Sequence, residues 1–172
     1  MSPQFTEDWF SEWSQEALAD LCRRTRDLTG DIVEVGSWEG RSTLALAAAA
    51  HPQVVHAVDT WRGSTGEITE LFAAERDVYS TFCANTEGLN IVPHRQDWRD
   101  YFTEQREPVK FCFIDGLHTY EEVRDQIDTI LPLVVPDGIM CGDDVHHRPI
   151  QEAVIEQFPD ANVIATLWWA KC

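Results

Sequence analysis

Three aspartates each follow a short apolar run: Asp115 after Phe111–Ile114, and Asp143 and Asp144 after Ile139–Cys141 and a glycine. If the two runs are adjacent parallel strands, the three carboxylates converge. Crowded carboxylates stay ionised cheaply only when a cation joins them. All-oxygen ligation suits Mg²⁺, or another hard divalent cation such as Ca²⁺ or Mn²⁺, and disfavours zinc. The competing reading is that Asp143 or Asp144 caps a turn. His118 stands three residues after Asp115. An imidazole near its ordinary pKa can take the proton of a hydroxyl that a metal polarises. A solvent-facing histidine ahead of a helix is the alternative, and His146 and His147 are reserve candidates for the base.

A second group of residues has the chemistry of binding. The turn Glu34-Val35-Gly36-Ser37-Trp38-Glu39-Gly40-Arg41-Ser42 spaces its glycines four apart, unlike the triple-glycine turn that cradles a pyrophosphate. Glu39 would repel a phosphate. The turn suits a nucleoside-type ligand without phosphates, with Glu34 facing an amine. Asp59, 23 residues after Gly36, ends an apolar run where an acid can accept both hydroxyls of a ribose. Trp61 offers a stacking face for a purine or, equally, fills the core. Asp97 and Trp98 add an acceptor for an adenine amine and a second aromatic wall.

Alternating strands and helices must position these groups. Trp9, Trp13, Ala17 and Leu21 recur every four residues and predict an amphipathic helix ended by Gly30. Ile32–Gly36, Val54–Val58, Leu89–Val92, Phe111–Ile114 and Ile139–Cys141 read as strands. Helices are expected over Ser42–Ala50, over one stretch from Ile68 to Cys83, and after Thr119, whose spacing to Glu122 is that of a capping box. Pro149 opens a last helix carrying Ile150, Val154 and Phe158. A single strand from Val163 to Trp169 closes the chain. This alternation predicts an α/β fold: one Rossmann-like, doubly wound, mostly parallel sheet with helices on both faces. Residues 1–172 form one domain, with a helical N-terminal lid over 1–30 and the core over 31–172. Ligands in such sheets bind beyond the carboxyl ends of the strands, where Glu34, Asp59, Asp97, Asp115 and Asp143/Asp144 accumulate.

The order VEVGSWEGRSTLALA, VDTW, QDW, FIDGLHTYEEV and GIMCGDDVH resembles class I S-adenosylmethionine-dependent methyltransferases. More narrowly it is similar to the small-molecule O-methyltransferases that modify macrolide and aminocoumarin sugars. The resemblance covers residues 30–150. It implies S-adenosylmethionine held by Glu34, Gly36, Ser42, Asp59, Trp61, Asp97 and Trp98. It also implies Mg²⁺ held by Asp115, Asp143 and Asp144, with His118 as the base. The expected activity is metal-dependent methylation of a small-molecule hydroxyl, on a sugar or polyol. The rival is a non-catalytic module that keeps only the nucleoside pocket. A phosphoryl-transfer domain is the third reading, but it calls for a basic phosphate anchor and no lysine lies near the acids.

Composition sets the outer bounds. Thirty acidic against 13 basic residues give a net charge of −17, which repels a nucleic acid. No apolar run reaches the roughly 20 residues of a membrane span. Five cysteines without a CxxC read as free thiols of a reducing compartment, so a cytoplasmic location is expected. The expected partner is a small-molecule hydroxyl acceptor, with no nucleic acid and no membrane; a homo-oligomer is compatible with the sequence.

Overall fold

The computed structural model describes residues 3–105 and 107–172. Five strands run parallel: β1 (Asp31–Val35), β2 (Val55–Asp59), β3 (Ile91–Arg95), β4 (Val109–Ile114) and β5 (Val134–Gly142). Two more, β6 (Asn162–Ile164) and β7 (Leu167–Lys171), form a hairpin whose β7 lies antiparallel to β5. The order across the sheet is β3-β2-β1-β4-β5-β7-β6. Strand order therefore reverses between β1 and β4, and a doubly wound sheet opens its ligand crevice at that point.

The period of two along each strand decides which face each helix covers. Ile32, Val55, Phe111 and Phe113 point to one face and pack under α1 (Glu12–Arg24) and α2 (Arg41–Ala50). Val33, Val35, Val58 and Ile114 point to the other, under α5 (Trp98–Glu104), α6 (Tyr120–Ile130) and α7 (Arg148–Gln157). Between β2 and β3 lie α3 (Ile68–Glu75) and α4 (Val78–Thr86); Val78 and Phe82 of α4 pack on Ala57 and Trp61. Among the described residues no helix is long and apolar enough to cross a membrane.

Several stretches depart from their periodicity for local reasons. Helix α1 starts at Glu12, capped by Ser11, so Trp9 precedes it and Trp13 is 65% exposed. The stripe that packs is Ser14, Ala17, Leu18, Leu21 and Cys22. The one helix expected over Ile68–Cys83 is two, because Arg76 is extended and Asp77 accepts from Ser80 N to start α4 afresh. Helix α5 follows Asp97, which caps it by accepting from Arg99 N. At seven residues it is too short for a periodic signal. The single last strand expected over Val163–Trp169 is a hairpin, since Ala165 adopts a left-handed φ of 56° and turns the chain. Thr119 does accept from Glu122 N, but the Glu122 carboxylate reaches Trp98 and Arg99 instead of closing the capping box. Strand β3 tolerates Pro93 because it lies at the sheet edge.

Candidate active site

A cavity of about 1150 Å³ opens at the carboxyl ends of β1 to β5. This exceeds the ~300–1,000 Å³ usual for one small ligand, so it has room for two molecules side by side. Gly36 makes the floor. At its φ of 86° a Cβ would lie 2.0 Å from the Asp115 carbonyl oxygen, so only glycine lets the ends of β1 and β4 approach this closely. The roof includes Phe5, Glu7, Trp9 and Phe10, which precede α1. Helix α1 itself belongs to the core layer, so the lid expected over residues 1–30 is confined, among the described residues, to the chain ahead of it. That strap is held by Glu39, whose carboxylate accepts from Thr6 N at 2.8 Å and Thr6 Oγ1 at 2.6 Å. Arg76 joins the strap to α3 and α4 through Glu7 at 2.7 Å and Glu39 at 3.3 Å. Glu39, read from the sequence as repelling a phosphate, is thus a buried anchor.

At one end of the cavity lie the residues expected to bind a nucleoside. Asp59 accepts from Trp38 N at 2.9 Å and Trp61 N at 2.6 Å, fixing the turns after β1 and β2 together. Burial raises its pKa against these hydrogen bonds. Gly36, Ser42, Asp97 and Trp98 also line the cavity. Trp61 does not. Its ring packs on Tyr79 and Phe82, with Nε1 donating to Trp38 O at 2.7 Å. The tryptophan that lines the cavity on that side is Trp38, half-buried against Trp9 and Arg76 and held at a left-handed φ of 46°.

Glu34 also lies outside the cavity, fully buried behind its wall, where it accepts from Thr43 Oγ1. An amine in the cavity would meet Ser42 rather than this carboxylate. Burial lifts the Glu34 pKa from 4.5 to about 7, and Oε1 has no hydrogen-bond partner. A raised carboxyl pKa contributes stability below pH 4.5 that is lost as the pH rises through 7. Glu34→Gln is therefore expected to melt higher than the parent at pH 8, by ~5–10 °C for ~2–3 kcal/mol, and alike at pH 4.5. Melting curves at the two pH values check this; equal melting at pH 8 would contradict it.

The opposite end carries the acids. His118, from the turn between β4 and α6, places Nε2 3.0 Å from Asp144 Oδ2 and 3.7 Å from Asp115 Oδ1. Its Nδ1 lies 3.0 Å from Glu67 Oε1, and its backbone N–H donates to the same oxygen at 3.1 Å. Glu67 precedes α3 and was not singled out in the sequence, because its contact with His118 spans 51 positions and has no local signal. Asp115, His118 and Asp144 offer donor atoms all within 4.8 Å of one another. Asp143 departs from the expected triad. Its carboxylate turns to Thr166 Oγ1, which in turn lies 3.2 Å from Ser14 Oγ. The hairpin thus holds Asp143 beside, rather than within, the convergent set.

Electrostatics explain the strain of this cluster. Burial and the neighbouring Asp115 push the Asp143 pKa up to about 7. Burial raises Asp115 as well, against the pull of His118. Burial disfavours a charged His118, but Asp115, Asp144 and Glu67 outweigh it and push the ring up to about 11. The imidazole is therefore not near its ordinary pKa, as expected from sequence; with these carboxylates uncompensated it is a cation at neutral pH. His118 Nε2 is buried without a hydrogen bond, although carboxylates surround it. His118 holds the Asp144 carboxylate below its ordinary pKa while burial raises Asp115, and two carboxylates converging beside an imidazole nitrogen are a donor set that fits a divalent cation.

Fold and site together define a doubly wound α/β domain whose crevice at the strand ends finishes in an acid cluster. Residues 33–145 match the methyltransferase domain family, and the chain belongs to that family. A search of curated proteins gave no match. Among solved structures, the O-methyltransferase NovP is 16% identical, with 92% of this chain and 79% of that one covered and a TM-score of 0.65. The calicheamicin methyltransferase CalS11 is 14% identical over 94% of this chain and 80% of its own, with a TM-score of 0.67. An O-methyltransferase from Bacillus cereus in complex with SAH is 16% identical over 98% and 84%, with a TM-score of 0.62. At these identities the likeness establishes the fold.

Proposed function

We propose that the protein transfers the methyl group of S-adenosylmethionine to a hydroxyl of a small molecule, a sugar or polyol, with the help of Mg²⁺ or another hard divalent cation. The observation that carries this reading is one cavity joining a nucleoside-type cradle at Gly36, Asp59 and Trp98 to the cluster of Asp115, His118 and Asp144. Similar folds include an SAH complex and a TDP-rhamnose 3'-O-methyltransferase, which support the cofactor and the sugar hydroxyl. The five free cysteines support the cytoplasm as its location.

Asp59 accepts the ribose hydroxyls, Trp38 and Trp98 face the adenine, and Asp97 accepts from its amine. Asp115 and Asp144 hold the cation, with Asp143 and Glu67 adding negative charge around it. The bound cation would polarise the acceptor hydroxyl. A cation held by Asp115 and Asp144 would draw on the charge that raises the His118 pKa from the Nε2 side, and Nε2 would then be the atom that receives the hydroxyl proton. Glu67 holds Nδ1 and so keeps Nε2 turned to the acceptor. The strap and α3 exclude water, and alignment of the acceptor oxygen with the sulfur-bound methyl supplies much of the rate.

Calorimetric titration with S-adenosylhomocysteine, with and without Mg²⁺, tests the cofactor part. One equivalent is expected to bind in both conditions, because the two ends of the cavity share no ligand. Absence of binding heat at high protein concentration would remove the cofactor argument.

A further inference from the structure

We propose that Asp144, His146 and His147 form a second cation site, which takes a borderline transition-metal ion such as Co²⁺, Ni²⁺ or Zn²⁺. Asp144 adopts a left-handed φ of 57°, and its carbonyl accepts from His147 N at 2.8 Å. This tight turn brings the three side chains together, with a donor atom from each within 4.8 Å of the others. His146 Nε2 lies 3.5 Å from Asp144 Oδ1, and the two histidine rings stand edge to face, 4.4 Å apart. His147 caps α7 by position only, since its side chain makes no capping hydrogen bond. Its ring nitrogens are not spent on the helix.

The two oxygens of Asp144 face different partners. Oδ2 meets His118 in the cluster described above, whereas Oδ1 meets His146. One carboxylate thus serves two donor sets of different chemistry. Two imidazoles and one carboxylate with open positions suit Co²⁺, Ni²⁺ or Zn²⁺, while Mg²⁺ prefers oxygen. All three ligands fall within one turn of chain, so little loop entropy opposes their closure on an ion. His146 is mostly exposed, leaving the site open to solvent. Because Asp144 is common to both sets, an ion held by the histidines draws on charge that the catalytic cluster uses. Occupancy by a transition metal is then a means of tuning the response to Mg²⁺. The histidine site shares Asp144 with that cluster, but ion binding to it does not require the proposed reaction.

Tag-free protein titrated with Co²⁺ in saturating Mg²⁺, followed by visible absorption, tests this. One equivalent of Co²⁺ is expected to bind with Mg²⁺ present. His146→Ala should weaken it at least about tenfold, since one of three protein ligands is gone, and the His146→Ala/His147→Ala variant should abolish it. His146 is exposed, so its variant reports on a folded protein, which melting in metal-free buffer verifies. Unchanged Co²⁺ affinity in these variants would overturn the proposal, as would full displacement by Mg²⁺. A thiolate charge-transfer band would also overturn it, by placing the ion on a cysteine. Failure of the catalytic reading would show separately, as a wild type whose melting does not respond to Mg²⁺ alone.

Discussion

Asp144→Asn is expected to lower methyl transfer by at least ~10³-fold, because it removes a charge worth several kcal/mol to a cation at the reacting hydroxyl. S-adenosylhomocysteine should still bind the variant, since Asp144 and Asp59 lie at opposite ends of the cavity. Stability separates this loss from damage. His118 holds the Asp144 pKa below its ordinary value, so Asp144 stabilises the fold above pH 3.8, and this is lost as the pH falls. Burial raises Asp143 to about 7, so its contribution is present below pH 3.8 and lost as the pH rises through 7. At pH 8 without divalent ions, Asp144→Asn should therefore melt below the parent and Asp143→Asn at or above it. Full activity in Asp144→Asn, or the reverse order of melting, would contradict the assignment.

His118→Ala is expected to reduce turnover by ~10²–10⁴-fold, the usual worth of a positioned general base. Both S-adenosylhomocysteine binding and the melting shift on adding Mg²⁺ should survive, because Asp115 and Asp144 remain. The loss should fall on kcat rather than on the KM of the cofactor, and steady-state kinetics of the variant check that division. A variant with wild-type kcat would take the proton-accepting role away from His118.

The contrast between Asp115 and Glu67 shows what sequence can carry. Asp115 and Asp144 end apolar runs of strand length, and parallel alternation with helices places such ends together whatever the loops do. The end of the cavity lined by Gly36 and Asp59 is legible in the same way. Glu67 was not, because its approach to His118 depends on how the segment between β2 and β3 folds back over the cavity. The break at Asp77 that shapes that segment is a competition between a cap and a continuing helix, which periodicity alone does not decide. Trp61, which from the sequence could stack on a purine or fill the core, fills the core, and Trp38, given no role there, lines the cavity, for a similar reason. Both take left-handed backbone, and one hydrogen bond from Trp61 Nε1 to Trp38 O fixes which ring turns inward. Asp143 looked equivalent to Asp144 until the hairpin brought Thr166 against it, and the hairpin rests on the backbone of a single alanine.

Methyl transfer itself tests the central claim most directly. The protein is incubated with methyl-labelled S-adenosylmethionine and a panel of sugars, polyols and catechols, in Mg²⁺ and in excess chelator. The account predicts label on a hydroxyl oxygen of at least one acceptor in Mg²⁺, and loss of that transfer in chelator. Transfer that proceeds equally in chelator would contradict the role given to Asp115 and Asp144, and with it the reason for His118 to act as the base.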